Sequence, residues 1–228
     1  MKPVFNREML DVMMGIRFNN DKAYMDATRD VYLRKMRQPY YDLINALAPT
    51  MLEIDAGMEV RPSKCLSRIF RDTRYSRDKS PYRDHHWVAF RHEGEPRDQS
   101  VMYWFEIRLE AVSWGLGFWG ENRNAMDAMR RRMEAFPDEF LAHLRLIDGL
   151  GFVMEGAQYA RRAVPDSIPE ELHPWYLKKE LYLGKAGIDP EVVFKPGLAD
   201  LLAADFLALK PVYRLFRGCL DTGVVPMP

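Results

Sequence analysis

Hydrophobic positions recur with a helical period over the first third of the chain. Met9, Leu10, Met13 and Met14 share one face after Asn6, whose side chain can cap a first turn. The polar run FNND (18–21) predicts a turn, with Asp21 as the cap of a second helix. That helix is expected to turn Tyr24, Thr28, Val31, Tyr32 and Met36 inward and to end before Pro39. Ile44, Leu47 and Met51 carry the period into a third helix that stops at the break over 55–57.

The period then changes. Across 100–120, Met102, Trp104, Glu106 and Arg108 alternate with Val101, Tyr103, Phe105, Ile107 and Leu109, and aromatic and β-branched residues at period two predict strands. HHWVAFRH (85–92) is the expected partner strand, reached through the polar loop EGEPRDQ. The glycines of WGLGFWG leave room for a ligand or another backbone, or mark a bulge.

Helix returns at 121–136, capped by Asn122 or Asn124, with Met126, Met129 and Met133 as its stripe. A further helix is expected from Pro137 to Gly149, then short strands at 151–156 and within 176–188. A long helix follows over about 198–217, kinked near Pro211. The pattern reads as a single α+β domain. Helices occupy 1–57, a central antiparallel sheet lies within 60–120, and 121–228 is mixed and then helical.

Totals narrow the function classes. The 228 residues carry 33 Lys plus Arg and 33 Asp plus Glu, so no global field draws the chain to nucleic acid or to anionic lipid. The longest uncharged runs, 43–52 and 111–120, are too short to span a membrane. Cys65 and Cys219 lie far apart with no CxxC spacing, and this suits reduced thiols in the cytoplasm. The start, MKPVFNREMLDVMM, places Glu8 and Asp11 where an export signal would need an apolar core.

Charge is nevertheless local. RIFRDTRYSRDKSPYRDHHW (68–87) lies in a window, 61–97, with ten Lys or Arg and five Asp or Glu, a surplus of five. Arg-Asp pairs recur every six residues, at 71–72, 77–78 and 83–84. Pro81 interrupts any single strand, so a strand to about Arg71, a loop over 72–84 and then the next strand are expected. Guanidinium forks suit phosphate or carboxylate, and Arg68, Arg71, Arg74 and Arg83 are the forks expected at a site for a small anionic ligand. Lys79 would add a mobile charge, and Ser76, Ser80 and Tyr82 neutral donors. Asp72 and Asp78 are the candidate general bases if the site is catalytic. The competing reading is a structural lattice in which arginines and aspartates satisfy one another, making a noncatalytic interaction module.

At this segment the sequence resembles the family catalogued as domain of unknown function 2461. The resemblance rests on Ser67-Arg68-Ile69-Phe70-Arg71-Asp72-Thr73-Arg74-Tyr75-Ser76-Arg77-Asp78-Lys79-Ser80-Pro81-Tyr82-Arg83-Asp84-His85, with Arg77 and Arg83 where the family pattern has Lys. Asn19-Asn20 resemble its double Asn, Gly115-Leu116-Gly117-Phe118-Trp119 its glycine-tryptophan strand end, and Arg130 its helix arginine. Leu177-Lys178-Lys179-Glu180 resembles a late basic segment. Tyr24 stands where a tryptophan is usual. The resemblance implies a shared motif and no particular reaction; His85 and Trp119 join the candidate ligand residues through it.

Other chemistry is less well supported. Asp84, His85, His86 and His92 lack the spacing of a metal site, and no metal or cofactor is expected. Ser76 or Ser80 with His85 has no GxSxG elbow. Glu106 and Glu110 read as outward strand carboxylates, or as an acid–base pair near Trp114. RRR at 130–132 reads as a solvated helix face, Arg130 excepted. Nucleic-acid binding is the lesser alternative, because the basic region is short and laced with Asp. Nothing in the sequence fixes an oligomeric state.

Overall fold

The computed structural model describes residues 2–97, 99–118, 120–185 and 187–221. Helix α1 (Glu8–Phe18) starts where the Asn6 side chain accepts from the Glu8 N–H at 2.7 Å. Helix α2 (Lys22–Tyr32) is capped by Asp21, which accepts from the Tyr24 N–H at 2.8 Å. The expected stop before Pro39 does not occur. A π-helical turn, Leu33–Arg37, runs directly into α3 (Gln38–Ile54), and the Gln38 N–H reaches back to the Leu33 carbonyl. The wider turn opens the ladder where a proline ring would otherwise press on it.

The buried face of α2 is rotated from the expected one. Met25, Tyr32 and, in the π-turn, Met36 are buried, whereas Val31 is exposed. Tyr24 lies instead along α1: a Cβ built on Gly15 would fall 2.0 Å from its hydroxyl. On α1, Met9, Met13 and Ile16 are buried and Met14 is exposed.

A short helix α4 (Pro62–Cys65) precedes the strands β1 (His86–Arg91), β2 (Val101–Ile107) and β3 (Val112–Phe118). The expected run over 100–120 is therefore two strands, joined by a turn in which the Arg108 N–H donates to the Ala111 carbonyl. With β4 (Phe152–Glu155) and β5 (Tyr182–Lys185) they form an antiparallel sheet in the order β1-β2-β3-β5-β4. Gly117 explains one feature of the glycine-rich strand end. It opposes Tyr182, and a Cβ at 117 would come within 2.4 Å of the Tyr182 Cα, so another backbone approaches there.

The remaining helices are α5 (Arg123–Ala135), α6 (Pro137–Gly149), α7 (His173–Tyr176), α8 (Leu198–Ala208) and α9 (Lys210–Asp221). Asn122 caps α5 by accepting from the Ala125 N–H. The long C-terminal helix is divided at Leu209, two residues before Pro211. Helices before and after a central antiparallel sheet make this an α+β fold.

Two compact units divide the chain. The first comprises Met1–Phe90, Trp104–Trp114 and Gly187–Ala204; its core includes the rings of Phe5, Tyr40, Phe105 and Trp114. The second comprises Arg91–Tyr103, Gly115–Ala186 and Asp205–Pro228. Tyr103, Phe206 and Tyr213 pack together there, as do Phe140, Trp175, Phe216 and Phe118. The expected solvated face at 130–132 is corrected in this unit. Arg132 is 0 % exposed and makes a two-pronged contact with Glu139, at 2.9 Å on each prong, so its charge is compensated where it is buried. Among the described residues, no helix is long and apolar enough to cross a membrane.

Candidate functional site

The arginine motif builds an arm of the first unit. Segments 66–71 and 81–88 run antiparallel, with bridges Leu66↔Val88 and Phe70↔Tyr82. The Arg71 N–H donates to the Pro81 carbonyl at 2.8 Å and the Arg83 N–H to the Ile69 carbonyl at 2.7 Å. Pairing thus resumes before the expected end of the loop, which shortens to 72–80. Pro81 is tolerated because it needs only to accept. Along the outgoing segment burial alternates: Ser67 and Ile69 are buried, Arg68 and Phe70 exposed.

Asn20 holds the arm from outside. Its side chain donates to the Tyr82 carbonyl and accepts from the Tyr82 N–H, each at 2.9 Å, as a neighbouring strand would. This gives the second Asn of the double-Asn resemblance a physical task.

The motif's charges divide into two sets. Arg71 pairs with Asp78, whose carboxylate also accepts from the Ser80 N–H and hydroxyl. Arg74 pairs with Asp72 at 2.7 Å, Lys79 donates to the Thr73 carbonyl, and Arg83 donates to the Arg68 and Phe70 carbonyls while lying 4.9 Å from the Trp87 ring centroid. These contacts tie the arm to itself, and the Arg71–Asp78 pair and the Lys79 bond to Thr73 cross from one six-residue repeat to the next. Arg68 and Arg77 differ: both are exposed, and among the described residues neither side chain has a hydrogen bond or ion pair. Tyr75, at the loop tip, is 94 % exposed, with the Arg74 guanidinium 5.7 Å from its ring centroid. Ser76 is partly buried, and its backbone N–H closes a turn on Thr73.

These pairs fix the acidity of the carboxylates. The hydrogen bond from Arg74 pulls Asp72 down to about 2. Ser80 and then Arg71 hold Asp78 lower still.

At the base of the arm a row of alternating charges begins. Arg17 on α1 meets both Asp84, at 2.5 Å, and Glu110; Asp84 meets His85 Nδ1 at 2.6 Å; His85 Nε2 lies 3.3 Å from Glu106; and Glu106 meets Arg108 at 3.0 Å. Glu106 is therefore turned onto His85, with 16 % of its side chain exposed, and is not the outward carboxylate its place in the strand pattern indicated. The Glu106 contact raises the His85 pKa, with Asp84 assisting against burial. Burial works to raise Asp84 and Glu106, but their bonds to His85 and an arginine hold both below the usual carboxylate range. Both ring nitrogens of His85 face carboxylates and Ser80 is bonded to Asp78, so among the described residues no serine is hydrogen-bonded to His85.

His86 faces the other way. It is buried between the Ser67 hydroxyl, at 2.9 Å from Nδ1, and the Tyr32 hydroxyl, at 3.0 Å from Nε2. Burial drives its pKa down to about 3 and that of Tyr32 up to about 12. Ser67 opens the motif, so this relay ties the arm to α2. Its participants lie far apart in sequence, and only the alternation of neighbouring strand residues hinted that the two histidines would differ.

Among the described residues, open pockets lie away from the arginine motif. One of about 320 Å³ is bordered by Glu8, Tyr24, Thr28, Tyr32 and Lys35, and another of about 360 Å³ by Leu10, Met14, Phe18, Leu109 and the Arg17–Glu110 pair. A third, of about 230 Å³, is in the second unit between Glu95 and Asn122. Trp119 lies outside the described residues. Among the described residues, no group of three or more His, Cys, Asp or Glu is placed to hold a metal ion.

In the second unit, Arg130 is buried. It donates to the Tyr176 carbonyl at 2.7 Å and to the Lys178 carbonyl, so the helix arginine and the late basic segment of the resemblance meet.

No curated protein and no solved structure matches the chain. A family model described as "Conserved hypothetical protein (DUF2461)" matches residues 8–215 of the 228, taking in the arm, Asn20, the two histidines and Arg130. The chain belongs to that family.

Proposed function

We propose that the protein binds a small anionic ligand, phosphorylated or carboxylated, on the exposed face of the arm. The observation that carries this reading is the division among the motif's cations. Arg71 and Arg83 are engaged inside the arm, whereas Arg68 and Arg77 are exposed and, among the described residues, without side-chain partners. An exposed guanidinium keeps its full fork for a phosphate or carboxylate. Lys79, whose ammonium donates to the Thr73 carbonyl, adds charge in the same loop as Arg77, and Tyr75 offers a ring on which a planar ligand can stack. The internal pairs then serve to hold the loop in one shape, which lowers the entropic cost of binding. The site is assigned no reaction; Asp72 and Asp78 are ion-paired with Arg74 and Arg71, and these bonds, with that of Ser80 to Asp78, hold both carboxyls below the usual range. Two free, buried cysteines suit a cytoplasmic setting.

Equilibrium titration with ATP tests the reading. Replacing Arg68 and Arg77 together by Ala should weaken binding about tenfold or more for each charge-assisted hydrogen bond removed, and raising salt should weaken the wild type. Undiminished binding by the double variant would refute it. Binding of single-stranded RNA in preference to ATP would move the site to the nucleic-acid reading.

The structural-clamp reading has its own support in the Arg71–Asp78 pair and the Arg83 bonds to two carbonyls. It accounts for those arginines and leaves Arg68 and Arg77 without a task.

A further inference from the structure

The second unit gathers cations around one tyrosine. The Tyr159 ring centroid lies 5.4 Å from the Arg130 guanidinium, 5.4 Å from that of Arg162 and 5.2 Å from the Lys179 ammonium. The two guanidiniums also lie 5.8 and 5.7 Å from the Tyr176 ring. Backbone pairing sets this geometry: the Tyr159 N–H donates to the Leu177 carbonyl, the Lys179 N–H to the Ala157 carbonyl, and Gln158 bridges Lys178. Arg130 is anchored on the carbonyls of Tyr176 and Lys178 and cannot swing away.

Little negative charge answers these cations. Asp127 accepts from Arg130 at 2.7 Å and lies 3.7 Å from Arg162. Glu134 accepts the Tyr176 hydroxyl at 2.5 Å. The Lys178 ammonium is used on the Gly156 carbonyl and feels Glu155 and Glu180. Among the described residues the Lys179 ammonium has no hydrogen bond or ion pair, only the Tyr159 ring. Arg162 keeps 35 % of its side chain exposed, so the cluster opens to solvent. Three cations face this ring, and the carboxylates beside them, Asp127 and, at the Tyr176 hydroxyl, Glu134, leave an excess of positive charge that an anion would balance. A tyrosine face attracts each cation but does not neutralise it.

We propose that Arg162 and Lys179, backed by Arg130 and floored by Tyr159, form a second anion site that takes a phosphoryl group. Arg162 supplies a fork, Lys179 a mobile point charge, and the buried Arg130 a fixed field behind them. This site is independent of the arm, since it lies wholly in the second unit and uses no residue of the motif.

Thermal melts in orthophosphate against chloride at matched ionic strength test it, because only a ligand of the native state raises the melting temperature by mass action. Phosphate should raise the wild-type melting temperature, and the Arg68→Ala/Arg77→Ala protein should keep a phosphate-dependent rise. The rise should shrink in Arg162→Gln/Lys179→Gln and vanish when these changes are combined with Arg68→Ala/Arg77→Ala. Should that protein not fold, Lys179→Met removes a charge with no hydrogen bond to break, and phosphate affinity should fall about tenfold, the equivalent of one charge-assisted hydrogen bond. Absence of a rise in the wild type, a rise undiminished by the Lys179 variants, or abolition of the rise in the arm variant alone would overturn the assignment.

Discussion

His85 sits between the carboxylates of Asp84 and Glu106, while His86, one peptide further on, is buried between Ser67 and Tyr32. A raised folded pKa at His85 means that its contribution to stability is complete below the unfolded value of 6.5 and is lost as pH rises through the folded pKa. The depressed pKa of about 3 at His86 has the opposite sign. Its neutral form is fully favourable above 6.5, and below that pH the unfolded chain takes up a proton that the native ring refuses. That loss approaches about 1.4 kcal/mol per pH unit for a single group. NMR titration of the imidazole carbons should therefore show one resonance set moving above pH 6.5 and another unchanged from pH 8 to 5. His85 and His86, identified among the five histidines by substitution, titrating together near 6.5 would contradict the assignment. The sequence revealed that these neighbours must face opposite sides of a strand. It did not reveal which side is charged, because Asp84 is adjacent but Glu106 and Tyr32 arrive from other elements.

The arm and the close-packed strands make sharper demands on the elements. Asn20 satisfies both backbone groups of Tyr82, so Asn20→Ala should cost about 2 kcal/mol, near 1 for each hydrogen bond, measured by denaturant unfolding. A change within the error of the measurement would show that water replaces the amide. Gly117→Ala should be destabilising by about 1–3 kcal/mol, since the added methyl must push the Tyr182 backbone away. Alanine at Gly94, where nothing lies within 4 Å but φ is +81°, should be destabilising for a different reason, by backbone strain of about 1 kcal/mol. Helix caps at Asp21 and Asn122 were legible because a cap is a local interaction between neighbours in sequence. The π-turn before Pro39 was not, since a proline reads as a stop unless the preceding turn widens to admit it. Nor was the burial of Arg132, which depends on a two-pronged partner, Glu139, in the next helix.

At the scale of the whole molecule, zero net charge hides local concentrations of cations, one in the arm of the first unit and one around Tyr159 in the second. The α+β order of elements was readable from the change of hydrophobic period along the chain. The motif was readable as a concentration of charge, but the sequence could not divide its arginines between structure and surface. That division depends on which backbone carbonyls and carboxylates fall within reach after the loop closes. It also sets the central test: parallel measurement of unfolding free energy and ATP affinity in Arg71→Ala and in Arg68→Ala/Arg77→Ala. Arg71→Ala should lower stability, since Asp78 is left without its arginine, whereas the double variant should keep wild-type stability and bind at least about tenfold more weakly. Wild-type affinity in the double variant, or no ATP binding by the wild type, would contradict the account.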